Sequence, residues 1–438
     1  MGKHQHIKKI LFAGIIVFLF IFRIQGKFKI FEKGYLNGYY VNTAAPELTV
    51  DGWFSADYQA KKQLYIEENI GFRNYLIRLN NQFAYSIFGV ARANGVVIGK
   101  EKYLFEEQYI RSYLGTDFVG EEVIAEKVKK LEFVTQQLKL EGIDLINVIA
   151  PGKGFYYPEY IPNSRLREKQ DTTNYERYLN ALQQKNLLTI DVNGWFLKMK
   201  DTATYPLYPK GGTHWSHYGE MIVADSISRF IADVRNTPLP KIVIESVEWS
   251  DTSRYADNDI ELGMNLLFHL KPNRMAYPKF WFDKTGVDQK TRVLTIGDSY
   301  YWGMYGHEVT DYVFSNSQFW YYNNLVYQPG FDERKLSDMN KMNELRTHQV
   351  VMLLFTEGNL PHFAYGFIDD LYEYYTNHPI TDRELRLVAA KKSILNDADW
   401  LQLVKDDAVK KGVTLEENIQ AHAEYMLFKE ESKQLDQQ

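Results

Sequence analysis

Val293-Leu-Thr-Ile-Gly-Asp-Ser-Tyr-Tyr-Trp-Gly-Met-Tyr-Gly306 is the stretch on which the reading of the fold turns. Val293 to Ile296 is short and mostly apolar, the composition of a buried strand. Gly297, Asp298 and Ser299 interrupt it, and an aromatic run follows. A strand that breaks into a Gly-containing turn and passes into a helix lifts a side chain out at the C-terminal edge of a sheet, where open α/β folds bind ligands. Ser299 at that edge is a candidate nucleophile. Gly, Asp and Ser are also ordinary turn residues, so the rest of the chain has to decide.

The flanking chain supplies more buried strands. Residues 143–151 and 350–355 are apolar to their ends, as strands covered on both faces are, and residues 187–191 add a shorter one. Residues 120–140 carry Val123, Ile124, Val128, Leu131 and Val134 at helical spacing. Residues 53–79, 175–185, 219–234 and 333–345 also read as helices, and residues 313–322 as an aromatic strand or strands. Strands alternating with helices predict an α/β layered domain around a mainly parallel sheet. Past about residue 370 only helical spacing remains; Gly412 fits a helix C-terminus and Thr414-x-x-Glu417 a capping box. The expected division is an N-terminal segment (1–27), a linker (28–52), an α/β domain (53–370) and a helical tail (371–438).

The 438 residues carry a formal net charge of −5, which points away from nucleic-acid binding. Aromatic residues make up 15%, which suits stacking on sugar faces as well as an aromatic core. The lack of cysteine excludes disulfides, thiol catalysis and zinc–thiolate sites. Lys3, Lys8 and Lys9 precede an apolar run over residues 10–22, closed by Arg23 and Lys27, the layout of an export signal. The run is shorter than the roughly 20 residues of a full span, but flanking Lys and Arg snorkel and lengthen it. No small-x-small cleavage motif follows. The expectation is an uncleaved signal-anchor in the inner membrane, with the body in the periplasm.

Three further stretches carry candidate chemistry. In Tyr208-Pro-Lys-Gly-Gly-Thr-His-Trp-Ser-His-Tyr-Gly219, His214 sits in a Gly-rich loop before a helix and suits a general base for a serine. His214 and His217 are three apart, but no third ligand stands at metal-site spacing, so no metal is expected. Thr356, Glu357 and Asn359 end a buried strand, where they would bind substrate, orient a base or cap the next element. Lys153 and Tyr156 follow another strand end and suit an anionic or sugar ligand; Gly152-Lys-Gly falls short of a phosphate loop.

Together these stretches resemble the alginate O-acetyltransferase family of the AlgJ/AlgX type, an SGNH-hydrolase-like group. The resemblance runs from about Trp53 to Leu360. It rests on Gly95-Val-Val-Ile-Gly-Lys with Tyr103-Leu-Phe105, Ala150-Pro-x-Lys153 with Tyr157-Pro158, Thr213-His-Trp215, Gly297-Asp-Ser-Tyr300, and the strand ending Thr356-Glu357. It implies an SGNH-like fold in which Ser299 attacks an acyl donor, His214 takes its proton, and the acetyl group passes to a hydroxyl of an exported polysaccharide. It also implies a membrane-bound O-acyltransferase as donor partner, and no cofactor. The Ser299 backbone N–H, with Gly303 or Asn324, would form an oxyanion hole, and Trp215 and Tyr300 would line a sugar groove.

One position departs from the family pattern: the aspartate two residues before the histidine is here Gly212. Glu357 or Asp298 would have to take its place, or a Ser–His pair would have to suffice. An acetyl-esterase, and a non-catalytic polysaccharide-binding or assembly protein, remain as alternatives.

Overall fold

Three strands, Asp144–Ala150, Arg292–Gly297 and Val350–Thr356, are buried at every position, in keeping with their mostly apolar composition. They form the centre of a computed structural model that describes residues 2–31, 34–38 and 43–435. The chain divides into two units. The smaller comprises residues 1–107, 210–212 and 258–272; the larger comprises residues 108–209, 213–257 and 273–438. In chain order, β1 (Val96–Ile98) and β2 (Leu104–Glu106) belong to the smaller unit, and β3 (Asp144–Ala150), β4 (Thr189–Asp191), β5 (Lys241–Ser250), β6 (Met275–Asp283), β7 (Arg292–Gly297), β8 (Ser315–Tyr321), β9 (Leu325–Tyr327), β10 (Arg334–Lys335) and β11 (Val350–Thr356) to the larger.

The larger unit is built on a seven-stranded sheet in the order β10-β9-β8-β7-β11-β3-β4. The pairs from β8 to β4 are parallel, and β9 and β10 add an antiparallel edge. This is the expected α/β architecture with a mainly parallel sheet. Side chains alternate between its two faces. On β11, Val351, Leu353 and Phe355 enter a core with Ile124, Val128, Leu131 and Val134 of the Glu121–Leu140 helix. Val350, Met352 and Leu354 enter the opposite core with Met221, Ala224, Ile227 and Ile231 of the His217–Arg235 helix. Val123, read on the same stripe as Ile124, is exposed.

Register fixes where the chemistry emerges. Gly297 pairs with Leu354, and Thr356 with Ala150. The segments that follow β7, β11 and β3 therefore leave the sheet at one edge. They carry Asp298 and Ser299, Glu357, and Pro151 and Gly152, respectively.

Several elements differ from the sequence reading. The expected helix over 333–345 is β10, a 3₁₀ turn at Leu336–Asp338 and a helix only at Lys341–Arg346. Asn340 starts that helix by accepting the Asn343 N–H at 3.1 Å. The antiparallel ribbon of β5 and β6 was not anticipated; its strands are half exposed, so no long apolar run announces them.

In the smaller unit, the helical pattern of residues 53–79 is cut into separate helices, Asp57–Asn69 and Arg73–Phe88, by Ala56 and Phe72 in left-handed conformation. Its core gathers Tyr85, Leu104, Ile260, Met264 and Leu266. The N-terminal helix is Gly2–Phe28. Its large apolar side chains from Ile10 to Phe20 are exposed. Among the described residues, no helix is long and apolar enough to cross a membrane.

The tail forms three helices, Asp382–Asn396, Ala398–Lys411 and Leu415–Leu435, around Ala390, Ile394, Val404, Ile419 and Ala423. Gly412 ends the second at φ +68°, and Thr414 and Glu417 make the expected capping box. The tail meets the sheet at the start of β7, where Arg292 donates to Asn396 Oδ1 at 3.0 Å. Ser299 lies beyond the other end of that strand, roughly 20 Å away at 3.3 Å per residue.

Gly154, just after β3, leaves no room for a larger residue: an added Cβ would lie 2.1 Å from the Tyr109 carbonyl oxygen. Gly154→Ala is expected to cost about 1–3 kcal/mol in denaturant unfolding, the range for forced overpacking. Gly263→Ala, which meets nothing within 4 Å, should be near neutral. Equal stabilities for the two variants would contradict this packing.

Candidate active site

Ser299 follows β7 and precedes the short Tyr301–Gly306 helix. His214 lies in the loop before the His217–Arg235 helix. That loop is pinned at Ser216. Its hydroxyl accepts the Gly219 N–H at 3.0 Å as the helix cap and donates to the Pro206 carbonyl at 2.7 Å. The two segments bring His214 Nε2 to 2.9 Å from Ser299 Oγ.

Tyr300 steadies the pair from behind. Its N–H donates to Asp298 Oδ1 at 3.0 Å, and its hydroxyl donates to the Thr213 carbonyl at 2.7 Å. Its ring centroid lies 4.8 Å from that of His214 and 5.1 Å from that of Trp215. One residue fastened next to the serine thus holds the backbone next to the histidine. Ser299, His214, Trp215 and Tyr300 line one cavity of about 470 Å³, with Gly303 in the same wall.

Both carboxylates considered as partners for His214 are engaged elsewhere. Asp298 Oδ2 accepts from the Thr356 N–H (2.8 Å), the Thr356 hydroxyl (3.0 Å), Asn359 Nδ2 (2.7 Å) and the Tyr365 hydroxyl (3.3 Å). Asp298 therefore clamps β7 to the end of β11. Glu357 accepts the Gly152 N–H at 2.5 Å and so joins the ends of β11 and β3. Its other oxygen, Oε2, is buried without a hydrogen-bond partner. Burial pushes the Glu357 pKa up to about 8, against the lowering effect of the Gly152 N–H.

Several residues read as substrate contacts occupy supporting positions instead. Thr356 and Asn359 are spent on Asp298. Lys153 is fully buried. Tyr156 packs among Tyr157, Phe196 and Tyr208, and burial raises its hydroxyl pKa to about 12. Asn324, read as an oxyanion donor, is an exposed turn residue: its N–H donates to the Tyr321 carbonyl and its carbonyl accepts the Leu336 N–H. For Thr356, Asn359, Lys153 and Tyr156 the common cause is that the ends of central strands are covered, which residue type does not reveal.

Tyr322 went unread in the sequence. Ser299 is among the groups that influence its hydroxyl, and its backbone holds a left-handed φ of +49°. The available signal was a bulky aromatic in a hairpin turn where Gly or Asn is usual. Left-handed bulky residues cluster at functional sites.

A serine hydroxyl against an imidazole Nε2, in a cavity beyond a parallel sheet edge, is an arrangement that serine acyl transfer can use. Residues 96–258 match the family described as "SGNH hydrolase-like domain, acetyltransferase AlgX". Over that segment the chain is similar to alginate O-acetyltransferases of the AlgJ/AlgX type. It is 26% identical over 156 residues to the probable alginate O-acetylase AlgJ of Pseudomonas aeruginosa, covering 35% of this chain and 37% of that protein. It is 26% identical over 228 residues to the same-named protein of Pseudomonas fluorescens, covering 49% and 55%. The chain thus spans about a third to a half of the length of these curated relatives. Among solved structures, it is similar to the O-acetyltransferase domain of Pseudomonas putida AlgJ (TM-score 0.43, 18% identity, 64% of this chain and 99% of that one) and to Pseudomonas aeruginosa AlgX (TM-score 0.39, 15% identity, 63% and 66%).

The buried Glu357 has a consequence for stability. A carboxyl whose folded-state pKa lies above its unfolded value of 4.5 binds its proton more tightly when folded, so stability falls as pH rises from about 4.5 to about 8. Glu357→Gln keeps an oxygen for the Gly152 N–H and removes the titration. The variant should lose this component of the alkaline slope, at most about 5 kcal/mol over the window. Unfolding midpoints from pH 5 to 9 check it; identical slopes for the two proteins would contradict it.

Proposed function

We propose that the protein is a serine O-acetyltransferase that acts on a polysaccharide. The observation that carries this reading is the 2.9 Å contact between Ser299 Oγ and His214 Nε2 in a cavity with an aromatic wall. In the proposed cycle, Ser299 Oγ attacks the carbonyl carbon of an acetyl donor as His214 takes the hydroxyl proton. The tetrahedral intermediate expels the donor's leaving group, which receives that proton, and leaves acetyl-Ser299. A sugar hydroxyl then attacks the acetyl carbonyl and gives its proton to His214. Collapse forms the sugar ester, returns the electron pair to Ser299 Oγ, and His214 reprotonates it.

Tyr255 and Trp302 offer apolar ring faces suited to sugar, with Trp215 buried behind the wall. Gly212 supplies no carboxylate to the imidazole, and Ser299 and His214 are the two groups on which the reading rests. In one protease the triad acid contributes less than the other two members.

The finer assignments belong to this proposal as well. The exposed apolar side chains of the N-terminal helix, flanked by Lys8, Lys9 and Arg23, support attachment to the inner membrane with the body in the periplasm. A membrane-bound O-acyltransferase would then supply the acetyl group.

Transfer from an acetylated chromogenic ester, measured with and without acceptor oligosaccharide, tests the proposal. Wild type should acetylate the oligosaccharide, and Ser299→Ala should lose on the order of 10³-fold or more in rate. Release to water alone, unaffected by acceptor, would identify an esterase. Unchanged polymer acetylation in cells carrying Ser299→Ala, when deletion of the chain abolishes it, would leave only an assembly role.

A further inference from the structure

The cavity that holds Ser299 has a second polar corner that acetyl transfer by Ser299 and His214 does not use. His217 and Glu220 lie one turn apart at the start of the His217–Arg235 helix and so share a face. His307 follows the helix that begins just after Ser299. The ligand atoms of these three side chains all lie within 4.8 Å of one another, and all three residues line the cavity.

Three features set the corner apart from a chance cluster. First, His217 and Glu220 are 4% and 6% exposed, yet His217 Nδ1 and Glu220 Oε1 have no hydrogen-bond partner. Buried polar groups are rarely left so, and an orphan of this kind points to an absent partner. Second, Gly303 makes way for the acid: a Cβ there would stand 2.0 Å from Glu220 Oε2. Third, the rings are held in place. Tyr255 packs with its centroid 4.6 Å from both imidazoles, whose own centroids are 4.1 Å apart.

We propose that His217, Glu220 and His307 bind one divalent transition-metal ion of the zinc class in the wall of the Ser299 cavity. Two imidazoles and one carboxylate are the donors of an open zinc site, which keeps a further position for water or substrate. The sequence reading paired His217 with His214 and passed over Glu220, and His307 lies far away in the chain.

Because the corner and Ser299 share one cavity, the open position would take an oxygen of the acyl donor or of the acceptor sugar. That second step rests on the acetyl-transfer reading; metal binding does not.

Calorimetric titration of the full chain with Zn²⁺, after stripping with a chelator, tests the binding. One equivalent should bind and raise the thermal midpoint. His217→Ala and His307→Gln should each weaken binding by roughly 10-fold or more, with the fold checked by circular dichroism. Co²⁺ loaded into wild type should give the visible absorption of a low-coordinate site, absent in the variants. Lack of stoichiometric binding, or binding unchanged in a folded His217→Ala/His307→Gln double variant, would overturn the site. Acetyl transfer unchanged by stripping, with the binding results intact, would leave a structural ion and overturn the substrate role. Absence of transfer in metal-loaded wild type would count against the acetyl-transfer reading alone.

Discussion

The Asp298 carboxylate is the constraint on which the site depends. It is fully buried at the end of β7, and its two oxygens accept five hydrogen bonds from Tyr300, Thr356, Asn359 and Tyr365. Hydrogen bonds to an ionised acceptor are the stronger kind, and removing the acceptor would strand several buried donors. The clamp fixes β7 against β11 where both strands end. Glu357 extends it to β3 through the Gly152 N–H. Ser299 is therefore presented from a rigid edge, and Tyr300, tied to the same carboxylate, carries the order across to the His214 loop. A reactive pair held by supports of this kind keeps its geometry without relying on flexible loops.

Much of this architecture was legible because burial writes itself into sequence. Strands covered on both faces are mostly apolar, so β3, β7 and β11 stood out, and the Glu121–Leu140 and His217–Arg235 helices showed their buried stripes. Ser299 and His214 were legible as residues at a strand end and before a helix. Other features had no such signal. The β5–β6 ribbon is half exposed and mixes charged with apolar residues. The break at Phe72 depends on a left-handed turn that no residue type demands. Thr356, Asn359, Lys153 and Tyr156 are polar or amphipathic residues at strand ends, which suggests ligand contact, yet the covered edge turns them into supports. Glu220 and His307 reach the cavity only through tertiary placement.

The two polar corners of the cavity differ in a telling way. Around Ser299 the supporting groups are tied into hydrogen bonds, the arrangement of a site ready for proton transfer. Around His217 and Glu220, donor and acceptor atoms are buried and left over, the arrangement of a site waiting for a ligand. Gly212 sharpens the contrast, because position 212 brings no carboxylate to the Ser–His pair and the cavity's spare carboxylate sits instead at Glu220.

Mass spectrometry of the protein after brief reaction with an acetyl ester, quenched in acid, tests the central claim most directly. The account predicts one acetyl group on the peptide containing Ser299, formed in wild type, lost in Ser299→Ala, and discharged when oligosaccharide is added before the quench. An acetylated oligosaccharide produced without any acetyl-Ser299, or an acetyl group carried by another residue and discharged to the sugar, would contradict it.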